Sequence, residues 1–499
     1  MNLSQIVQDL GFLTPEILLT GLILLAIIYD LFLTKETSIR TGYLAIAGMA
    51  IVLFSLFAQN VEASQGLFNQ MVAYDGYARY FKIIITLATI LVMWMSFQNV
   101  ELKNRTIGEY YQLMLVLVFG MFFLVSATNM LSIYLSLEIV SIMSYLLAGY
   151  LKENLRSNES AIKYVVFGGV SSGIMLYGIS LIYGLTGSLN IYEIQASLAA
   201  NAAISPALLM LAFVLVFVGF GYKIAAVPFH FWTPDVYEGA PATITAFLSV
   251  APKAAGFAVL LRFLNTTLTL SGDPNNIALE SLSNLDWPTL LAGVSAITMT
   301  VGNVVALQQT NIKRMLAYSS IAHAGYMLMG VVVMHHNGVS AILYYAGIYT
   351  LMNLGAFFVA IYIKNAFNTE TISDYTGLGY KAPMIGIAMA VFMFSLTGLP
   401  PTGGFVAKFY LFRGLVGVGD TFIWLAIVGL INGVVSLYYY LRVLYFMYFK
   451  EMNFPDVYHR APLQFNILIV IIIIPLLFGW MIGDPLSTWT ASATSFFVP

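Results

Sequence analysis

Four ionisable residues lie deep inside long apolar stretches of the sequence. Glu138 lies in TNMLSIYLSLEIVSIMSYLLAGY, Lys223 in VGFGYKIAAVPFHFWTPD, Lys253 in AFLSVAPKAAGFAVLLRF and Lys408 in FSLTGLPPTGGFVAKFYLF. A lysine at the centre of a bilayer costs about 2.5–3.5 kcal/mol, so it normally faces a protein interior or a water-filled path. Burial favours the neutral lysine and an acidic partner favours the charged one, so a buried lysine with a movable partner can bind and release a proton. The row therefore favours proton conduction. The alternative is that these groups only pair across helices and fix packing.

Two histidines extend this row. His323, in KRMLAYSSIAHAGYMLMG, is a candidate relay group because an unperturbed histidine pKa of about 6.5 suits proton exchange. The alternative is a structural histidine that only forms hydrogen bonds. His230 follows Lys223 after a proline, where it can pass protons between two parts of the protein or simply cap a helix end.

The elements that must position these residues are membrane-spanning helices. The chain of 499 residues is 60% hydrophobic and only 9% charged, which is far too little polar surface for a soluble protein. About twenty apolar residues span a bilayer. Fourteen segments of this kind are predicted, so the fold class is an all-α polytopic membrane protein. The segments are 12–33, 41–60, 77–98, 109–127, 130–151, 160–184, 205–235, 240–266, 287–307, 313–334, 339–363, 383–415, 420–448 and 463–484.

The seventh and twelfth segments are too long for plain helices and are predicted to be broken. Proline removes a backbone donor and clashes with the preceding turn, and a break at membrane depth needs protein or water to satisfy the freed groups. Broken helices in corresponding places of two halves point to an ion path. The breakers next to Lys223 are Gly219, Gly221 and Pro228, and those before Lys408 are Pro400, Pro401, Gly403 and Gly404.

Segments 4–8 and 9–13 are predicted to form two inverted five-helix repeats. At an offset of 185 residues Lys223 falls on Lys408 and Glu138 falls on His323. Because five is an odd number, the two copies must cross the membrane in opposite directions. Lys253, on the eighth segment, is then the expected connection between them. The predicted regions are leading helices 1–108, first repeat 109–266, second repeat 267–448, and trailing helix with C-terminal tail 449–499.

Basic residues indicate the orientation of the chain. The positive-inside rule is best satisfied with the N- and C-termini on the outer side and the first apolar stretch retained as a helix. The inner loop after the seventh segment is an exception, because it carries Asp235 and Glu238 without a base. Arg262 and Arg413 are expected to snorkel at outer helix ends, and Lys82 to snorkel or to pair with Asp75.

Other chemistry is limited by composition. The chain contains no cysteine, which excludes disulfides, thiolate zinc sites and all-cysteine iron–sulfur clusters. With only five histidines, no redox cofactor and no metal are expected in this chain. A net charge of −2 argues against nucleic acid as a partner.

Several long stretches resemble subunit N (subunit 2) of the respiratory NADH:quinone oxidoreductase, complex I, an antiporter-like membrane subunit. The most specific is VPFHFWTPDVYEGAP; others are YDGYARYF, LSLEIVSIMSYLLAGY, GNVVALQQTNIKRMLAYSSIAHAGY, SLTGLPPTGGFVAKFYLF and LYYYLRV. The sister subunit M has glutamate where this chain has Lys408. The resemblance implies that Glu138 pairs with Lys223, that Lys253 links two half-channels and that Lys408 faces the exit side.

The resemblance also implies a function and an assembly. The chain would be a proton-translocating subunit of an NADH:quinone oxidoreductase, driven by quinone reduction elsewhere in the complex. Its partners would be other membrane subunits and the lipid of a bacterial inner (cytoplasmic) membrane. Flavin, iron–sulfur clusters and quinone would lie on those other subunits. The alternatives are an Mrp-type cation/proton antiporter subunit and a membrane scaffold. A solute transporter is a third and less well supported alternative, because the sequence shows no polar cluster suited to a solute.

Overall fold

The computed structural model describes residues 3–61, 64–102, 107–200, 205–268, 286–333, 336–450, 461–478 and 483–494. These residues are overwhelmingly helical. Short 3-10 helices lie at Val100–Leu102, Ile372–Tyr375 and Asp420–Phe422. The helices are α1 Leu3–Phe12, α2 Thr14–Leu31, α3 Ile39–Ala58, α4 Gly76–Ser96, α5 Ile107–Ser126, α6 Met130–Ala148, α7 Leu155–Thr186, α8 Ile191–Ala200, α9 Pro206–Ile224, α10 Trp232–Gly239, α11 Ala242–Leu248, α12 Ala251–Thr267, α13 Trp287–Ala306, α14 Ile312–Val333, α15 His336–Phe367, α16 Leu378–Lys381, α17 Pro383–Thr397, α18 Gly403–Val416, α19 Ile423–Phe449, α20 Leu463–Phe478 and α21 Gly483–Ser492.

The predicted multi-pass helical architecture is confirmed. Within the described ranges, 12 helical stretches are long and apolar enough to cross a membrane, and α17 and α20 are shorter apolar helices. Together they fall on the fourteen predicted segments; residues 479–482, near the end of the last segment, lie outside the described residues. A two-stranded antiparallel hairpin, β1 Gln65–Leu67 and β2 Val72–Tyr74, precedes α4.

Both predicted helix breaks are present. The seventh span stops at Ile224, continues through Ala225 with a φ of 61° and the cis peptide Val227–Pro228, and resumes as α10. The twelfth span stops at Thr397, and Gly398, with a φ of 86°, and the cis peptide Pro400–Pro401 lead into α18. A left-handed residue ends each first half because it lets the chain turn while its N–H still bonds to the preceding turn.

A third interruption was not expected from the sequence. The eighth span is divided at Ser249 and Val250 into α11 and α12. The Ser249 hydroxyl bonds to the carbonyl of Ala246 at 2.7 Å and accepts a 2.6 Å hydrogen bond from Asn353. Because of this interruption, Lys253 lies in the first turn of a new helix rather than in the middle of a long one.

Two pairs of helix connections have the same local structure. A bridge joins Asn129 to Asn190 at the start of α6, and another joins Asn311 to Thr371 at the start of α14. The positions of the first residues, 129 and 311, differ by 182, and α7 and α15 each contain 32 residues. At this offset Glu138 falls on Ser320, one turn before His323, so the predicted offset of 185 does not hold throughout. The division into two inverted repeats stays a prediction.

The lysines of the two broken spans are not equivalent in position. Lys223 precedes the break in its span, in the last turn of α9, whereas Lys408 follows the break, in α18. The number of residues between the two breaks therefore differs from the number between the two lysines.

Arg262 does not snorkel to water, contrary to expectation. Its side chain is fully buried and forms a two-pronged ion pair with Asp75, at 2.7 Å and 3.0 Å. Its Nε also donates to the carbonyl of Val125 at 3.2 Å, and its guanidinium lies over the ring of Tyr77. This ion pair connects the C-terminal half of α12 to the start of α4.

Lys82 pairs with Glu16 rather than with Asp75. The ammonium lies 2.6 Å from the Glu16 carboxylate, and both side chains are buried. Since Glu16 is on α2 and Lys82 is on α4, this ion pair joins two of the leading helices to each other.

The acids Asp235 and Glu238 lie in α10 rather than in a loop, and basic residues of other helices neutralise them. Asp235 lies 2.6 Å from Lys163 of α7 and 2.7 Å from Arg314 of α14, and Glu238 lies 2.9 Å from Arg314. The exception to the positive-inside rule is therefore local, because the bases that balance these acids come from neighbouring helix ends.

Two glycines bring the backbones of α13 and α14 into contact. A Cβ at Gly302 would lie 2.6 Å from the backbone nitrogen of Ala322, and one at Gly325 would lie 2.6 Å from that of Met299. Small residues of this kind let membrane helices approach closely. This packing fixes the part of α14 that carries His323.

Replacement of Gly302 by valine is expected to reduce the amount of assembled protein. The new side chain would meet backbone rather than a flexible side chain, and overpacking costs about 1–3 kcal/mol. The measurement is the level and thermal stability of the protein in purified membranes. Gly293→Val on the same helix is the matched control, since its Cβ would meet nothing within 4 Å. Equal losses in both variants would contradict the packing argument.

Candidate functional site

Glu138 and Lys223 line one small cavity. Glu138 projects from α6 and is partly exposed, whereas Lys223, at the end of α9, is 3% exposed. The cavity measures about 20 Å³, which is room for roughly one water molecule. The Lys223 ammonium bonds to the hydroxyl of Ser141, one turn along α6 from Glu138, at 3.4 Å. Among the described contacts the two charged groups form no direct ion pair, so water or a small movement must connect them.

Lys253 lies next in the row, and its ammonium is held by α14. It donates to the hydroxyl of Ser320 at 2.8 Å and to the carbonyl of Ser320 at 3.1 Å. A Cβ at Gly256, one turn further along α12, would lie 3.4 Å from the side chain of Lys223. The stem of Lys223 thus packs on the same helix that carries Lys253.

One face of α14 connects the remaining groups. Ser320, His323 and Tyr326 follow one another at three-residue spacing, which places them one above the other on a helix. Ser320 holds Lys253, and the ring of Tyr326 lies beneath Lys408, 4.5 Å from its ammonium to the ring centroid. His323 therefore lies between the two lysines.

Both ring nitrogens of His323 are hydrogen-bonded. Nδ1 lies 2.5 Å from the hydroxyl of Tyr345 on α15, and Nε2 lies 3.1 Å from the hydroxyl of Tyr440 on α19. The Tyr440 hydroxyl also bonds to the hydroxyl of Ser319. All four side chains are buried. The two tyrosines and the serine were not predicted from the sequence. The signal that could have identified them is hydroxyl groups in otherwise apolar helices, as in the stretch LYYYLRV.

Lys408 ends the row. Its ammonium donates to the carbonyls of Leu396 and Thr397, at 3.2 Å and 2.7 Å. These are carbonyls that the end of α17 leaves without helical partners, so the break in the twelfth span supplies the acceptors for Lys408.

His230 is separate from this row. It lies in the break of the seventh span, 6% exposed, and its Nδ1 is buried without a hydrogen-bond partner in the described part of the chain. The contacts of its ring include Phe231 at 4.5 Å between centroids. No hydrogen bond joins it to Glu138, Lys223 or Lys253 among the described residues.

The helix ends make the three lysine sites electrostatically different. The C-terminal end of a helix carries partial negative charge and the N-terminal end partial positive charge. Lys223 lies in the last turn of α9 and Lys408 lies against the last carbonyls of α17, whereas Lys253 is the third residue of α12. A cation is therefore stabilised at the two ends of the row and disfavoured in the middle.

Charges outside this row connect the start of α14 to the segment after α15. Glu370 lies 3.4 Å from Lys313 and 3.6 Å from Lys364. Burial opposes ionisation of Glu370, but the two ammonium groups outweigh it and lower the pKa of its carboxyl. Glu370 therefore stays ionised and ties α14 to the segment after α15.

The arrangement suits proton exchange between nitrogen and oxygen atoms. It offers one carboxylate, three lysines, an imidazole and several hydroxyls, with room for little beyond water. Across the described ranges, no group of three or more His, Asp or Glu residues is placed to hold a metal ion.

Comparison with known proteins places the chain in a family. The family model described as NADH:quinone oxidoreductase/Mrp antiporter, TM, matches residues 127–436, which include all six residues selected from the sequence. NADH-quinone oxidoreductase subunit N 2 of Chloroherpeton thalassium is 46% identical over 440 residues, which cover 88% of this chain and 85% of that protein. Subunit N of Anaeromyxobacter sp. is 40% identical over 501 residues, which cover 97% and 96% of the two chains. The chain belongs to the NADH-quinone oxidoreductase subunit N family.

Solved structures share the fold of this subunit N family chain. A chain of respiratory complex I from Thermus thermophilus with bound aureothin matches with a TM-score of 0.77 and 29% identity, over 96% of this chain and 100% of that one. A chain of the Mrp complex from Dietzia sp. matches with a TM-score of 0.80 and 19% identity, over 96% and 97%. The second likeness shows the fold alone. Membership of the subunit N family rests on the closer sequence relatives.

Proposed function

We propose that this chain is a proton-translocating membrane subunit of an NADH:quinone oxidoreductase. The observation that carries the proposal is the buried row from Glu138 through Lys223, Lys253 and His323 to Lys408, in a chain of the subunit N family. Lys223 packs on α12, which carries Lys253, and Lys253 bonds to α14, which carries His323 and whose Tyr326 lies against Lys408.

In this proposal a proton enters from the inner side at Glu138 and Lys223. The water-sized cavity between them lets the carboxylate and the ammonium exchange a proton without a permanent ion pair. The proton then passes through Lys253 and His323 to Lys408, from which it leaves on the outer side. Quinone reduction on other subunits supplies the energy by changing the charge next to this row. His230, in the break of the seventh span, lies apart from this path, and its transfer of protons between two parts of the protein stays a prediction from the sequence.

The proposal also assigns partners and cofactors. The chain assembles with other membrane subunits of the oxidoreductase in a bacterial inner membrane, with both termini on the outer side. It is an enzyme subunit without a redox site of its own; flavin, iron–sulfur clusters and quinone belong to other subunits.

An Mrp-type cation/proton antiporter subunit is the second candidate, supported by the shared fold. A sodium site needs several oxygen ligands around one ion. In the described core the row offers only Glu138 as a carboxylate, beside three lysines. This composition supports protons as the transported ion.

The test is purification of the native assembly followed by a substitution. We expect flavin and iron–sulfur absorbance to co-purify with the chain. Lys223→Ala is expected to leave assembly intact and to lower proton pumping at least about tenfold, since loss of a positioned proton-transfer group typically costs 10²–10⁴-fold. The matched control is Lys35→Ala, at an exposed lysine outside the row. Normal pumping in Lys223→Ala with reduced assembly would instead support a scaffold.

A further inference from the structure

The hydrogen bonds around His323 form a continuous chain of four side chains. In order, they are Ser319, Tyr440, His323 and Tyr345. The chain crosses three helices, α14, α19 and α15, and is buried throughout. Its Ser319 end adjoins Ser320, which holds the ammonium of Lys253. Its Tyr345 end lies on α15, which packs against α18, the helix of Lys408.

Every member of this chain can both donate and accept a hydrogen bond. A neutral imidazole has one N–H and one bare nitrogen, and a hydroxyl donates one hydrogen bond while it accepts others. The chain can therefore run in either direction. In one, Tyr345 donates to Nδ1 and Nε2 donates to Tyr440; in the other, both hydrogen bonds are reversed.

The geometry points to Tyr440 and Tyr345 as proton-relay residues on the two sides of His323. This inference rests on the proposed function, because it assumes that protons travel along the row. Two hydroxyls at hydrogen-bond distance from the two nitrogens of one imidazole give a proton separate entry and exit atoms.

The transfer balances without any other reactant. A proton arriving from Ser319 binds the Tyr440 oxygen as the hydroxyl proton of Tyr440 passes to Nε2. Nδ1 then releases its proton to the oxygen of Tyr345, whose own hydroxyl proton leaves towards Lys408. One proton has entered and one has left. The relay is then left in the reversed direction, so the hydroxyls must rotate and the imidazole must lose its proton from Nε2 and take one up on Nδ1 before a second proton passes the same way.

Phenylalanine substitutions remove the relay atoms and keep the rings. Tyr440→Phe and Tyr345→Phe in the assembled oxidoreductase are expected to lower proton pumping by roughly 10–100-fold, which is below the largest proton-transfer effects because water can enter the vacated site. Ser319→Ala interrupts the same chain and should lower pumping in the same direction. Pumping is measured in proteoliposomes and normalised to the amount of assembled complex.

Tyr344→Phe is the matched control. Tyr344 is the residue before Tyr345 on α15, its ring packs 4.9 Å from that of Tyr410, and its buried hydroxyl has no hydrogen-bond partner within the described ranges. We expect this variant to pump at the rate of the unmodified protein. A loss in Tyr344→Phe equal to that in Tyr345→Phe would overturn the relay.

The relay and the proposed function fail in different ways. If Tyr440→Phe and Tyr345→Phe pump normally while Lys253→Met does not, the relay is wrong and proton translocation stands. If Lys253→Met also pumps normally, the proposed function itself is wrong. If the defect in proton pumping disappears after normalisation to the amount of assembled complex, the tyrosines contribute to packing only and the relay is overturned.

Discussion

Lys253→Met in the assembled oxidoreductase is expected to lower proton pumping by about 100-fold or more, within the range for loss of an essential proton-transfer group. Methionine fills nearly the same volume and keeps the packing of α11 and α12, but it carries no exchangeable proton. Lys253 is the link between the Lys223 cavity and the face of α14 that carries His323.

The measurement compares proton uptake with NADH oxidation in proteoliposomes. The amount of assembled complex should be unchanged, because in the described part of the chain Lys253 is held by Ser320 and the ring of Tyr237 and not by an ion pair. Lys35→Met, at an exposed lysine, is the control for loss of one positive charge. Pumping within twofold of the unmodified protein would remove Lys253 from the path.

Arg262→Met is expected to destabilise the folded protein by about 3–5 kcal/mol, the usual cost of removing one partner of a buried ion pair. Asp75 would then keep a charge in a site with no access to water. The carboxylate also caps α4 by accepting a 2.8 Å hydrogen bond from the backbone of Ala78, so the damage should reach the start of that helix. Loss of assembled protein and a lower melting temperature are the expected observations.

A double substitution distinguishes the loss of the ion pair from the general destabilisation that a substitution at a buried site causes. Asp75→Leu together with Arg262→Met removes both charges, and replacing a whole buried pair by apolar residues is often nearly neutral. We expect the double variant to recover part of the stability lost in Arg262→Met. Arg413→Met is the control, because Arg413 is exposed in the last turn of α18. A double variant less stable than Arg262→Met would show that the pair does not act as one unit.

Local sequence predicted the spans, the two breaks and the ionisable row. Hydropathy sets the length of a membrane helix, and proline and glycine at Pro228 and Pro400 interrupt it, so these features are encoded within a few residues. The free-energy cost of burying the charges of Lys223, Lys253 and Lys408 likewise follows from the apolar residues next to them in the sequence. Their presence in buried positions followed from the residues alone.

Partnerships between distant helices could not be predicted in this way. Arg262 looked like a snorkelling residue because its neighbours do not reveal Asp75, which is 187 positions away. Tyr345 and Tyr440 were missed for the same reason, since only packing brings them to His323. The interruption at Ser249 differs, because a local signal was present: Pro252 lies in the first turn of α12 and has no N–H that could bond to Leu248.

The placement of Lys253 at the start of α12 has a consequence for energy conservation. A membrane that holds a proton gradient must not leak when the enzyme is idle. In the proposed proton path, favourable ends and an unfavourable middle would make the row a valve: a proton would rest at Lys223 or Lys408 and would rarely cross unaided. Helix dipoles contribute about 0.3–1 kcal/mol each in exposed sites and up to about 2 kcal/mol in partly buried ones, so a modest change of charge in a neighbouring subunit would be enough to open this valve.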